Sequence, residues 1–183
     1  MKRYIKADIV ETPMDRRTLA QDPNTSPRTL ARLAKEWDPT LRILISKNPN
    51  TPTEVLESMM YDNQPWESGE GAAANPALPA DVISKWSTSR KHWIRRGIAS
   101  NPSTPGDILK RYSRSKDTEI AMQVIRNPNT PIEVLWEFWN NKRKYPIVLV
   151  EDALVFLNRR GAIADEEYNQ LFTEFFKIRY PNI

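Results

Sequence analysis

Side chains able to do covalent or metal chemistry are scarce in this chain of 183 residues, which has one histidine, His92, and no cysteine. Thiol nucleophiles, Ser-His pairs and the His/Cys clusters that hold metals cannot be assembled in the usual ways. No catalytic residue, metal or cofactor is therefore expected. His92 lies in "SRKHWIRRG" beside Trp93, where it reads as a solvated or packing side chain rather than a general base. Cations are more plentiful and are arranged in bands. Positions 48 to 84 hold six acids and no Lys or Arg, whereas 85 to 116 hold nine bases and a single acid, Asp107. The bases Arg42, Lys91, Arg95, Arg96, Arg111 and Arg114, interleaved with Trp86, Trp93 and Tyr112, could meet phosphates and stack on bases. With Trp93 and Trp66 they form the candidate binding surface.

The elements that must position these residues follow from a repeated turn. "NPNTP" stands at 48–52 and 127–131, with "NPSTP" at 101–105, "NPALP" at 75–79 and "DPNTS" at 22–26. From Asp22 through Asn48, Asn75, Asn101 and Asn127 the steps are 26, 27, 26 and 26 residues, which marks a repeat array. Eight places after each start stand Leu30, Leu56, Ile83, Leu109 and Leu135, and eleven places after stand Leu33, Met59, Trp86, Tyr112 and Phe138. That i, i+3 pair is one face of a helix. Two and three places before each start stand small or apolar residues, Ala20, Ser46, Ala73, Ala99 and Ile125 behind Leu19, Ile45, Ala72, Ile98 and Val124. They predict a second, short helix or 3₁₀ segment.

Local rules assign roles within the turn. Asn-Pro should stop the preceding helix, since the residue before a proline is pushed out of the helical region. Thr51, Pro52 and Glu54 read as a capping box, with a threonine N-cap, a proline at the first helical position and a carboxylate that reaches back. Thr104 with Asp107 and Thr130 with Glu133 repeat it. Each unit is then a stop, a turn, a capped helix of about ten residues, a polar loop and a return segment, the size of a helical solenoid repeat.

The pattern N-P-x-T-P-x-x-V-L, returning after about 26 residues over roughly 16 to 139, resembles the leucine-rich-repeat variants, relatives of the HEAT and armadillo class. The resemblance implies an all-α, right-handed α-α superhelix of about five repeats in which an α-helix alternates with a short helix or 3₁₀ segment. Such scaffolds carry many unrelated tasks, so the fold alone does not name one.

A single repeat domain over 1–183 is expected, with an N-terminal cap and half repeat at 1–21, repeats at 22–139 and a C-terminal helical cap at 140–183. Residues 1–15 read as irregular or extended, "NNKRKYP" as a basic loop, 147–160 as a helix, and 165–177 as a last helix whose Tyr168, Leu171, Phe172, Phe175 and Phe176 cover the open end of the stack. Gly69 and Gly71 should leave the second return segment short or irregular, and its small residues should let neighbours approach closely. Arg16, Arg42 and Arg95 share one repeat column, interrupted by Gly69 and Ala121. They line one face, either as a ladder for phosphates or as structural partners of acids such as Asp38, four residues before Arg42. No stretch of eighteen apolar residues exists and the N-terminus lacks a signal-peptide h-region, so a cytoplasmic, non-membrane protein is expected.

The function that follows is a non-enzymatic scaffold binding a protein or peptide partner. A nucleic-acid-binding module using the basic band of repeats three and four is the alternative. A base-processing enzyme like the HEAT-like glycosylases is a second one, which would need an acid and aromatics converging in a basic concavity.

Overall fold

A computed structural model describes residues 13–36, 38–62 and 65–179. Among these the chain is helical throughout, with no strand. Lead helices begin after each turn: α2 (Pro27–Leu33), α4 (Thr53–Tyr61), α6 (Ala80–Trp86), α8 (Gly106–Tyr112) and α10 (Ile132–Asn140). Return helices precede each Asn-Pro: α1 (Pro13–Gln21), α3 (Pro39–Lys47), α5 (Trp66–Ala73), α7 (His92–Ser100) and α9 (Thr118–Arg126). Then come α11 (Ile147–Arg159) and α12 (Asp165–Arg179). The fold is a helical solenoid, as the repeat predicts. The return segments are α-helices of eight or nine residues, while three lead helices have only seven. Of the two expected forms of the return segment, a short helix or a 3₁₀ segment, the short helix is found, and the three seven-residue lead helices are shorter than it.

The chain divides into two compact units, Met1–Gly97 and Ile98–Ile183. In the first, α1 packs on α3 and α3 on α5, with α4 covering α5. In the second, α9 packs on α11, with α8 on α9 and α10 on α11. The sequence loses its period after Trp139, yet α11 takes the position of a return helix, longer by about one turn. The core columns match the spacing argument. Leu30, Leu56, Ile83, Leu109 and Leu135 are completely buried, and so are Ala20, Ser46, Ala73, Ala99 and Ile125. Burying a large aliphatic side chain contributes about 1.5–3 kcal/mol, so these columns are the main source of stability. Trp86 departs from its column and is only half-buried.

The capping boxes do not form. The N-caps of α4, α8 and α10 are Pro52, Pro105 and Pro131, none with a side-chain hydrogen bond. The threonines turn the other way. Thr25 donates to the Leu19 carbonyl at 2.6 Å, Thr51 to Ile45 at 2.6 Å, Thr104 to Ile98 at 2.5 Å, and Thr130 to Val124. Each reaches back six residues to a carbonyl at the end of the return helix; at Ile45, Ile98 and Val124 the hydroxyl is a second donor beside the backbone N–H of the following asparagine, fastening the turn to the helix end. Leu78 fills the same place with an apolar side chain and is likewise buried. Only Ser26 is a true N-cap among the lead helices, accepting from the Thr29 amide. Among return helices Asp38 and Asp117 cap α3 and α9.

The asparagines do more than stop a helix. The Asn48 amide donates to the carbonyls of Ala20 and Asp22 at 2.9 and 2.8 Å. Asn75 donates to Ser46 and Asn48, and Asn127 to Ala99 and Asn101, all at 2.8 Å. The same side chains accept from the backbone amide two residues on, at Asn50, Ala77 and Asn129. One buried side chain thus shapes its own turn and clasps the turn before it. Sequence spacing alone did not reveal this clasp.

Small residues set the spacing of the return helices. Contrary to expectation, α5 is a regular eight-residue helix. A Cβ on Gly71 would stand 2.3 Å from Ser46 Oγ, and one on Gly97 would stand 2.5 Å from the Glu70 carbonyl and 2.8 Å from Ala73 Cβ. At Gly97 the neighbouring backbone leaves no room for a side chain, and at Gly71 the Ser46 hydroxyl fills it, in keeping with the close-packing reading. The expected irregular cap at 1–15 lies outside the described residues up to position 12, and Pro13 already opens α1. In α12, Phe175 is buried against Trp139 with ring centroids 5.4 Å apart. Tyr168, Phe172 and Phe176 instead form a partly exposed ladder with spacings of 5.8 and 5.3 Å, so the cap buries one edge of the aromatic stripe.

Candidate functional site

The Arg column is structural where the described contacts resolve it. Arg42 is 9% exposed, pairs with Asp62 and also donates to the Ala34 carbonyl. Arg16 reaches Glu36 in the same way, again 20 residues on. The expected partner Asp38 instead caps α3. An arginine buried in this way is not offered to a ligand. Arg95 donates to the Ser89 carbonyl at 2.5 Å. Lys91 Nζ is surrounded by the carbonyls of Met60, Tyr61 and Asp62 at 3.0, 2.7 and 3.1 Å. It neutralises the negative end of α4.

Arg96 and Trp66 are brought together. The Arg96 guanidinium forks onto Glu70 at 2.6 and 2.5 Å and lies 5.6 Å from the Trp66 ring centroid. Trp66 opens α5 and remains 40% exposed. Trp93 is half-buried, edge-on to His92 at 5.3 Å, and its indole N–H is buried without a hydrogen-bond partner. Arg111 and Arg114 belong to the other unit, exposed at and just beyond the end of α8. Arg111 lies 5.8 Å from the Tyr112 ring.

A second aromatic group escaped the sequence reading. Tyr61, at the end of α4, is 61% exposed and meets Trp86 edge to face at 4.6 Å. Glu57 holds both Trp86 Nε1, at 3.0 Å, and Lys85 Nζ, at 2.7 Å. Lys85 in turn lies 5.7 Å from the Tyr61 ring centroid. The Lys85 ammonium, then the Trp86 N–H, lower the Glu57 pKa below its ordinary value. The same contact raises Lys85. The available signal was the aromatic pair at 61 and 86 beside an acid 28 residues before a lysine, about one repeat away. Tyr61 and Trp66 bracket the α4–α5 connection, so among its described residues unit one presents these two exposed aromatic side chains, each next to a fixed cation.

The basic loop expected at "NNKRKYP" forms in unit two and shows a feature that its sequence alone does not. The loop of Asn140, Asn141, Lys142, Arg143 and Lys144 lines an open hollow of about 450 Å³. Lys142 Nζ sits 3.7 Å from the Trp139 ring centroid and 5.4 Å from that of Phe175. Burial pushes the Lys142 pKa down, opposed by Glu174. Lys144 lies 4.8 Å from the Tyr145 ring centroid and 3.8 Å from Glu137, and it feels the like charge of Arg114. Among the described residues no three His, Cys, Asp or Glu side chains converge to hold a metal ion, and no helix is long and apolar enough to cross a membrane.

Residues 14–63 match the model of the Leucine Rich Repeat Variant domain. A solved structure described as a leucine-rich repeat variant with a novel repetitive protein structural motif is similar to 88% of this chain over 72% of its own length, with a TM-score of 0.50 and 19% sequence identity. At that identity the likeness is one of fold. No curated protein matches the chain. The match at 14–63 and the shared fold are in line with the resemblance of the N-P-x-T-P repeat to the leucine-rich-repeat variants.

Proposed function

We propose that this helical-repeat scaffold, of the leucine-rich-repeat-variant kind, binds a protein or peptide partner without catalysing a reaction, and that it does so through the aromatic edge of its first unit. The observation that carries the reading is the exposure of Tyr61 and Trp66 on either side of one connection, each beside a cation that is itself anchored by a carboxylate. Aromatic side chains held rigidly at low entropic cost are the usual anchors of protein interfaces. The flanking ion pairs Lys85–Glu57 and Arg96–Glu70 supply a polar rim. Arg42, Lys91 and Arg96 have internal partners, which weakens the alternative of a nucleic-acid track across repeats three and four. Three acids of the second repeat, Glu57, Asp62 and Glu70, are engaged in ion pairs with Lys85, Arg42 and Arg96, which weakens the base-processing alternative.

The test is selection of peptides against the protein from a displayed library, followed by titration of the selected sequences. Replacing Tyr61 and Trp66 by alanine should weaken binding by about thirtyfold or more, the size of one hot-spot loss, with the helical content unchanged. Selected peptides that bind the double variant as tightly as the parent would overturn the placement.

A further inference from the structure

The basic band divides by use. In unit one Arg42, Lys85, Lys91, Arg95 and Arg96 are tied to carboxylates or carbonyls, while Arg90 is exposed and stands apart from the others. In unit two, Arg114 and Arg143 are exposed and have no carboxylate partner among the described residues. Lys142 and Lys144 lie in the same loop as Arg143, and Lys144 is close enough to Arg114 to feel its charge. The available acids are few. Glu137 stands 3.8 Å from Lys144, a surface pair of little strength, and Glu174 acts on Lys142 from a distance.

A helix C-terminus attracts cations, and α10 ends at Asn140. That attraction is worth only about 0.3–1 kcal/mol and acts within the last turn, so it does not explain three successive cations joined by a fourth from beyond α8. Lys142 is, in addition, partly desolvated on Trp139. Contact with Tyr145 raises the Lys144 pKa in spite of the like charge of Arg114, so the cluster attracts an anion, while Asn141 gives its amide to the Glu137 carbonyl at 2.7 Å.

The surface chemistry also discriminates between anions. The rings beneath the loop, Trp139, Phe175 and Tyr145, lie under Lys142 and Lys144. No large apolar anchor is therefore offered at the hollow, as a protein interface would use, and no bare ring on which a base could stack. A polymer that presents a charge at every unit and is read by charge alone fits best. We infer that loop 140–144 of this protein, together with Arg114, is a sequence-independent contact site for the phosphate backbone of a nucleic acid. The site is separate from the aromatic edge of unit one and does not depend on the function proposed for that edge.

Fluorescence anisotropy with short labelled single-stranded and duplex oligonucleotides tests it, on the full chain, between about 50 and 200 mM salt. Binding should fall steeply with salt and be indifferent to sequence. Arg114→Glu combined with Arg143→Glu should weaken it at least tenfold and flatten the dependence on salt by about one phosphate contact per residue lost. Arg90→Glu, the same charge change at an exposed site in unit one, should leave it within about twofold, since it removes only long-range attraction. Lys142→Gln provides a second, milder variant that keeps the volume of the side chain, and circular dichroism checks that all variants are folded. Absence of binding at the lowest salt, or equal binding by parent and loop variants, overturns the inference. So does displacement by a polyglutamate peptide at matched charge concentration with the same loop dependence, which would assign the hollow to an acidic protein segment.

Discussion

In the unit ending at Gly97, Arg42 is buried against Asp62, Lys85 rests on Glu57 and Arg96 forks onto Glu70. In the unit beginning at Ile98, Arg126 meets Asp152, but Arg114 and Arg143 find no carboxylate among the described residues. The two units carry the same turn and the same asparagine clasp, and differ in what stands one repeat away from each cation. Acids stand 26 residues from Arg96 and 28 from Lys85. Twenty-six residues after Arg114 stands Asn140, and the same distance before Arg143 stands Asp117, already engaged as the N-cap of α9. A cation in a repeat protein is therefore structural or available according to the residue one period away, and net charge along the chain does not distinguish the two.

Removing Arg42 should break this comparison most sharply. Arg42→Leu deletes a buried partner of Asp62 and a donor to Ala34, and should cost about 2 kcal/mol, below the value for a fully buried pair because Asp62 is half-exposed. The urea midpoint at neutral pH measures it, and a loss under about 0.5 kcal/mol would make the Arg column ornamental. A smaller effect is expected at Glu57. Its pKa is lowered in the folded protein, so its contribution is present above 4.5, its ordinary value, and is lost as pH falls through the lowered folded value. Glu57→Gln should thus be less stable than the parent at neutral pH, and the difference should shrink in acid. A difference that persists unchanged at low pH would assign the loss to the Trp86 hydrogen bond instead of to charge. The least effect on stability belongs to unit two. Arg114→Glu with Arg143→Glu should change the melting midpoint little or raise it slightly, within about 0.5 kcal/mol, because no internal partner is removed. A marked fall would place those arginines in the same structural class as Arg42.

The periodic part of the fold was legible because core burial repeats with the helix. Leu56, Ile83 and Leu109 could be placed by counting, and they are buried as counted. The capping box at Thr51 does not form and the helix stop at Asn48 does, but the longer reach of both side chains is hidden from sequence for a common reason. Capping rules weigh only contacts within three or four residues, whereas the Thr51 hydroxyl reaches back six and the Asn48 amide reaches 26 and 28 to find buried carbonyls. Helix propensity counts about 1 kcal/mol against each α5 glycine, but contact with α3 and α7 decides that segment. Of the candidate surface, Trp66 and Arg96 are brought together; "NNKRKYP" is legible as a basic loop but not as a binding site, and Tyr61 is not legible at all, because each draws its meaning from a neighbour that is distant in sequence.

The asparagine clasp addresses only main-chain oxygens of the preceding turn. Asn48, Asn75 and Asn127 each grip carbonyls that any residue would supply, so the joint carries no information about which repeat comes before it. A gene encoding such a chain can be lengthened or shortened by whole units through unequal recombination, and the new junction closes without a compensating substitution in the turn.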